Sequence, residues 1–146
     1  MQFQSKEQQA CYEKILPWMT DLFGPFLRVR DEIPSFGVIV GAANIQLAVL
    51  AWGERDALIT TRCYVVTNIK MTSGLMEYLL HENNRMIFGA FGVDEDGDIF
   101  VQHTIIGTSV DKEELKTSIY GVVHTADAYD EAIQQRWGGE SVINRS

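Results

Sequence analysis

The sequence predicts an α+β fold, one antiparallel β-sheet with helices in the order α-β-β-β-α-β-β-α. Three observations lead there. Helical and strand-like periodicities alternate in that order along the chain. The strand segments follow one another through short turns, which requires antiparallel pairing. Within residues 84–115, two apolar runs flank Asp94-Glu95-Asp96-Gly97 before a new helix begins. An acidic turn ending in Gly marks a hairpin, because Gly supplies the positive φ that the turn needs.

The first helix is expected over 5–23. Ser5 can cap it, and Cys11, Ile15, Met19 and Leu22 recur at spacings of four, four and three. Pro17 is expected to kink or divide it, and Gly24-Pro25 to end it. Residues 26–30 are expected to be extended. Three strands follow, over 36–40, 44–52 and 57–67, the last two joined by a turn at 53–56. Ile45, Leu47, Val49 and Ala51 share one face, as do Ile59, Thr61, Cys63 and Val65. A second helix covers 73–83, capped by Thr72 or Ser73, with Leu75, Met76, Leu79 and Leu80 on its apolar side.

For the hairpin an odd-sum register is expected. It puts Met86, Phe88 and Ala90 on one face with Ile99, Val101 and Ile105, and Ile87, Phe91, Val93 and Phe100 on the other. The last helix starts with an acidic capping box, Asp111 and Glu114. Leu115, Ile119, Val122, Ala126, Tyr129 and Ile133 then form one sustained stripe, and Gly138-Gly139 stops it after Trp137. At ~1.5 Å per residue this helix is about 40 Å long. The first and last helices are expected to cross one face of the sheet.

A chain of 146 residues fits one domain, here assigned to 1–139, with 140–146 as a flexible tail. The net charge of -8 and the scattered Lys and Arg argue against a nucleic-acid surface and against an anionic membrane. The longest apolar stretch, 36–52, is interrupted by Gly37, Gly41, Asn44 and Gln46, so it reads as two strands and not as a membrane span. The first ten residues lack the apolar core of a signal peptide. A cytoplasmic protein with two reduced, buried thiols, Cys11 and Cys63, is the expectation.

Candidate chemistry is sparse. Asp94, Asp96 and Asp98 invite a calcium reading. With Asp94 at position 1 of a calcium loop, however, Gly97 falls at 4 and Ile105 at 12, so the frame fails and a solvated turn is expected. His103 has the parity of the apolar residues in its strand, which suggests a half-buried His bonded to a neighbour or lying at the sheet edge. Cys63 shares parity with Ile59 and Val65 and reads as a core thiol, although a nucleophile beside a histidine is the alternative. No HxxxH, CxxC, HExxH or G-x-S-x-G spacing occurs, so no metal, cofactor or catalytic residue is assigned.

The stronger signal is apolar. If the helices cover one sheet face, the opposite parity still carries Leu50, Trp52, Tyr64, Phe91 and Phe100. Left bare, these form an unusually large patch. Cover by the chain's own elements, by a second subunit or by a client segment are all open at this point. Four aromatics losing ~60 Å² of apolar area each contribute about 6 kcal/mol at ~25 cal/mol per Å², much of it offset by the entropy of association.

The run Phe88-Gly89-Ala90-Phe91-Gly92-Val93-Asp94-Glu95-Asp96-Gly97-Asp98-Ile99-Phe100, with His103-Thr104-Ile105 and Asp111-Lys112-Glu113-Glu114-Leu115, resembles the YbjN-type domain family. Tyr64-Val65-Val66-Thr67, Leu75 to Leu80 and Thr125-Ala126-Asp127 look like it too. The resemblance spans about residues 5–139, in a version similar to those of oxygenic phototrophs. It implies the type III secretion chaperone-like fold, a tendency to dimerise and a chaperone-like role, with no established activity and no agreed catalytic residues.

The sequence therefore points to a non-enzymatic, chaperone-like protein-interaction domain acting as a homodimer and binding a protein client. Trp52, Tyr64, Phe91 and Phe100 are the candidate contact residues. The rival reading is a small-molecule site or an enzyme between helices and sheet, using His103 or Cys63.

Overall fold

A computed structural model of the protein describes residues 1–142. Helix α1 spans Lys6–Phe23 and ends in a 3-10 turn, Gly24–Phe26. Strands β1 (Leu27–Val29), β2 (Ser35–Val40), β3 (Ala43–Trp52) and β4 (Asp56–Thr67) follow. Helix α2 (Ser73–Asn83) leads to β5 (Ala90–Val93) and β6 (Ile99–Ile106), then to α3 (Lys112–Trp137) and a short β7 (Glu140–Ser141). The sheet order is β1-β2-β3-β4-β6-β5, with every pairing antiparallel and β7 added to the end of β4. This is the α+β fold and antiparallel sheet that the periodicities predict.

The helix ends follow from their caps. Ser5, Thr72 and Asp111 each accept a backbone N–H three residues on, filling donors that a helix start otherwise leaves unpaired. Glu114 returns the bond to the backbone of Asp111, completing the capping box. Pro17 leaves α1 undivided, contrary to the alternative in which it splits the helix.

Helices α1 and α3 pack on one face of the sheet. Cys11, Ile15 and Met19 of α1 and Leu115, Ile119, Val122 and Ile133 of α3 are buried, as are Ile45, Leu47, Val49, Ile59, Cys63, Ile99 and Val101 beneath them. Gln8 of α1 is buried too, and its amide donates to the carbonyl of Val49 at 2.9 Å. Burial of a polar side chain is tolerable there because it is paired.

Three expectations are corrected. The hairpin pairs Phe91 with Val101 and Gly92 with Phe100, an even-sum register. Phe91 therefore belongs to the helix-covered face with Val101, buried and edge-on to Tyr129 of α3 at 4.9 Å between centroids. Alternation alone could not choose between the two parities, because both faces of β5 and β6 are apolar enough. Next, residues 140–142 do not form a frayed tail. Glu140 and Ser141 pair with Thr67 and Val66, and the Val142 N–H donates to the carbonyl of Val65. The remainder of the expected tail, 143–146, lies outside the described residues. Finally, the apolar side of α2 is split: Leu75 and Leu79 are buried, whereas Met76 and Leu80 face outward.

At Val65 the β4–β6 register shifts, with Tyr64 opposite Phe100 and Val66 opposite Ile99. Such a bulge adds one residue and bends the strand. Both Val65 and Val66 are fully buried as a result. The chain returns past this point at Gly139, where a Cβ would stand 2.6 Å from Val66.

Candidate functional site

The face away from α1 and α3 carries the alternate residues of each strand, and the pairings arrange them in rows. Leu50, Leu58 and Ile106 lie side by side across β3, β4 and β6. Ala48, Thr60 and Thr104 form the next row, and Thr60 and Thr104 share a hydroxyl–hydroxyl bond of 2.8 Å. Gln46, Arg62 and Gln102 form the third, and Tyr64, Phe100 and Gly92 the fourth. Leu50 is 42% exposed, Ile106 50% and Trp52 61%. A shallow groove of about 410 Å³ opens on this face, lined by Arg30, Ile33, Gln46, Leu50, Thr60 and Arg62 among others.

Of the residues singled out from the sequence, Tyr64 and Phe100 are brought together. They are half-buried, with rings in an edge contact at 5.7 Å. Trp52 shares their face but sits opposite Asp56, eight residues before Tyr64 along β4. At ~3.3 Å per residue this is about 26 Å away, so the three aromatics do not form one cluster. Phe91 lies in the core, on the far side of the sheet.

The hydroxyl of Tyr64 donates to Asp94 Oδ2 at 2.8 Å. Burial, then this bond, raises the Tyr64 pKa, while the same bond leads the causes that lower that of Asp94. The other Asp94 oxygen accepts the N–H groups of Asp96 and Asp98, both at 3.0 Å. Gly97 adopts φ +84°, the conformation that its place in the turn requires. The carboxylates of Asp94, Asp96 and Asp98 thus gather within 4.8 Å on a hairpin tip where Asp94 is already engaged in holding the turn.

Arg62 is held as well. Its Nε donates to Gln102 Oε1 at 2.8 Å, and its guanidinium lies 3.8 Å from the centroid of Phe100. Arg62, Gln46 and Gln102 were not singled out from the sequence. Their signal was parity: each lies an even number of residues from Leu50, Tyr64 or Phe100 in its strand.

Cys63 and His103 sit on the covered face. Cys63 is 1% exposed, and burial pushes its pKa up to about 12, far from the thiolate that nucleophilic chemistry requires. His103 Nδ1 bonds the buried Ser118 hydroxyl at 2.7 Å and meets the Phe88 ring edge-on at 5.6 Å. Burial lowers its pKa. Cys63 pairs with Val101, and His103 pairs with Thr61, so the two are not partnered as nucleophile and base.

Bare apolar side chains also lie on the outer side of α2 and, separately, on the loop after it. Met76 is 47% exposed, Leu80 71% and Ile87 87%. Among the described residues no helix is long and apolar enough to cross a membrane.

Among the described residues the sheet is backed by helices on one face and open on the other, with both thiols buried. The chain belongs to the TY-Chap1 family, described as T3SS (YopN, CesT) and YbjN peptide-binding chaperone 1, whose profile matches residues 13–145. Its fold is similar to that of a chain in the crystal structure of the ExsC–ExsE complex, with a TM-score of 0.66 and 16% identity over 85% of this chain and 93% of that one. It is also similar to a chain in the HopA1–SchA chaperone–effector complex, with a TM-score of 0.64 and 14% identity over 87% and 98%. No curated protein sequence matches.

Proposed function

We propose that this protein is a cytoplasmic, homodimeric peptide-binding chaperone that holds an extended client segment on the open face of its sheet. The observation that carries the reading is the one-sided sheet: α1 and α3 cover one face, while Leu50, Trp52, Tyr64, Phe100 and Ile106 remain on the other. An extended segment can align on such a face and seat alternate side chains between the rows, as the strands of stacked sheets do. With Phe91 in the core, Trp52, Tyr64 and Phe100 losing ~60 Å² each contribute about 4.5 kcal/mol at ~25 cal/mol per Å². This is offset in part by the entropy of association, so binding is reversible, as a chaperone requires.

Self-association has a separate surface available. Met76 and Leu80 are exposed four residues apart on α2, the helix whose Leu75 and Leu79 are buried, so a dimer through α2 leaves the client surface free. The family description and the folds of the chaperone–effector complexes support the same reading.

The test is affinity purification with mass spectrometry from the native cell, using wild type beside Leu50→Asp and Phe100→Asp. Phe91→Asp cannot serve as an open-face variant, because it places a charge in the core. Clients should be recovered with wild type and lost with the open-face variants. Equal recovery by all three proteins would remove the open face from the mechanism. Light scattering should give a dimer for wild type and a monomer for Leu80→Glu; a wild-type monomer at high micromolar concentration would reject the dimer.

A further inference from the structure

One cross-strand row on the open face differs from the rest. Arg28 pairs with Gly37, Gly37 with Gln46, Gln46 with Arg62, Arg62 with Gln102 and Gln102 with Ala90. The row crosses six strands from one edge to the other. It carries two guanidinium groups and two amides, and no acid, in a chain with 20 acidic and 12 basic residues. Arg30 adds a third guanidinium at the groove. The acids at the strands' open-face positions are Asp56, at the far rim opposite Trp52, and Glu140 of β7, opposite Thr67.

Among the described residues, Arg28, Arg30 and Arg62 take part in no ion pair. Asp94, whose charge acts on Arg62, has its oxygens committed to Tyr64, Asp96 and Asp98. Arg62 is also oriented before any ligand arrives. Gln102 fixes its Nε, the Tyr64 hydroxyl accepts a hydrogen bond from the guanidinium and the Phe100 ring lies against that group, which leaves its remaining N–H donors for a carboxylate. Side chains ordered in advance lose less entropy on binding.

Resting on the peptide-binding reading above, we infer that the open face selects extended segments carrying a carboxylate, with Arg62 as the anchor and Arg28 and Arg30 as the supporting field. The occupant is an acidic, strand-forming stretch of a client polypeptide. The spacing of the rows defines its pattern. Leu58 lies four residues from Arg62 on the same face, and Tyr64 lies two residues away on the other side. For a segment aligned with β4, an Asp or Glu over Arg62 therefore places an apolar residue four positions away over Leu50, Leu58 and Ile106. It places another side chain two positions away, in the opposite direction, against Tyr64 and Phe100.

The experiment is selection of a random 12-residue phage-displayed peptide library on the immobilised full chain. Wild type, Arg28→Gln/Arg62→Gln and Arg28→Glu/Arg62→Glu are compared, each checked for folding by its thermal transition. Wild type should select peptides enriched in Asp or Glu with an apolar residue four positions away. The best of these, synthesised, should bind about tenfold more weakly with its acid changed to Gln, and more weakly in high salt. The Gln variant should lose the acidic preference and the Glu variant should prefer Lys or Arg. Should the Glu variant fail to fold, the Gln variant still decides. Peptides selected without acidic enrichment, or with the same enrichment on the Gln variant, overturn this inference while leaving peptide binding intact. If wild type selects no peptide, the peptide-binding reading fails and this inference fails with it.

Discussion

The guanidinium of Arg62 lies 3.8 Å from the centroid of the Phe100 ring, so the charge and the aromatic surface of the open face act as one unit. Phe100 is half-buried, with its ring against Tyr64 and Arg62 on the open face. Phe100→Ala should therefore cost only about 1–2 kcal/mol of stability, from lost apolar area and a cation–π contact. Urea unfolding should show this small loss, while client binding falls by about tenfold or more. A loss above ~4 kcal/mol would mean that Phe100 is a core residue and not a contact residue.

Phe88 rests on Gly121 of α3, where an added Cβ would stand 2.5 Å from the ring. Gly121→Ala should gain ~1 kcal/mol from helix propensity and lose more from overpacking, ~1–3 kcal/mol. The expected result is a lower thermal midpoint. Adding Phe88→Ala should remove the overpacking cost, so the two changes should be clearly non-additive.

Thr61 is fully buried, and among the described residues its hydroxyl has no hydrogen-bond partner. Its methyl group is already suited to the apolar face that it shares with Ile59 and Cys63. Thr61→Val should raise stability by about 1 kcal/mol by removing an uncompensated polar group. A decrease in the denaturation midpoint would show that the hydroxyl is satisfied in solution.

His103 has its pKa lowered from the ordinary value of 6.5 by burial. As pH falls, the unfolded chain takes up this proton before the folded one does. The contribution of His103 to stability is therefore complete above about pH 6.5 and declines through the window down to its depressed folded value. Between pH 7 and pH 5, wild type should lose more stability than His103→Asn, whose amide can keep a bond to Ser118. Equal losses in the two proteins would contradict the burial of His103.

Cys11 and Cys63 are both free and buried, and burial raises the pKa of each. Neither should react with a thiol reagent in native buffer within the time needed for complete reaction in denaturant. A rapid native reaction of one thiol per chain would reopen the reading of Cys63 as a functional group.

The three helices and the five longer strands in their order, the helix starts and the long stripe of α3 were legible in the sequence, because each depends on residues within a few positions of one another. Ser5, Thr72 and Asp111 announce helix starts by local chemistry, and the alternation in β3 and β4 assigns Leu50, Trp52 and Tyr64 to one face. What depended on distant pairing was not legible. The hairpin register that turns Phe91 into the core rests on contacts with Tyr129, far along the chain. The outward turn of Met76 and Leu80, the return of Glu140 onto β4 and the row from Arg28 to Ala90 likewise exist only once strands and helices meet. Local periodicity specifies which faces an element has; only packing against the rest of the chain decides which of those faces is left to water.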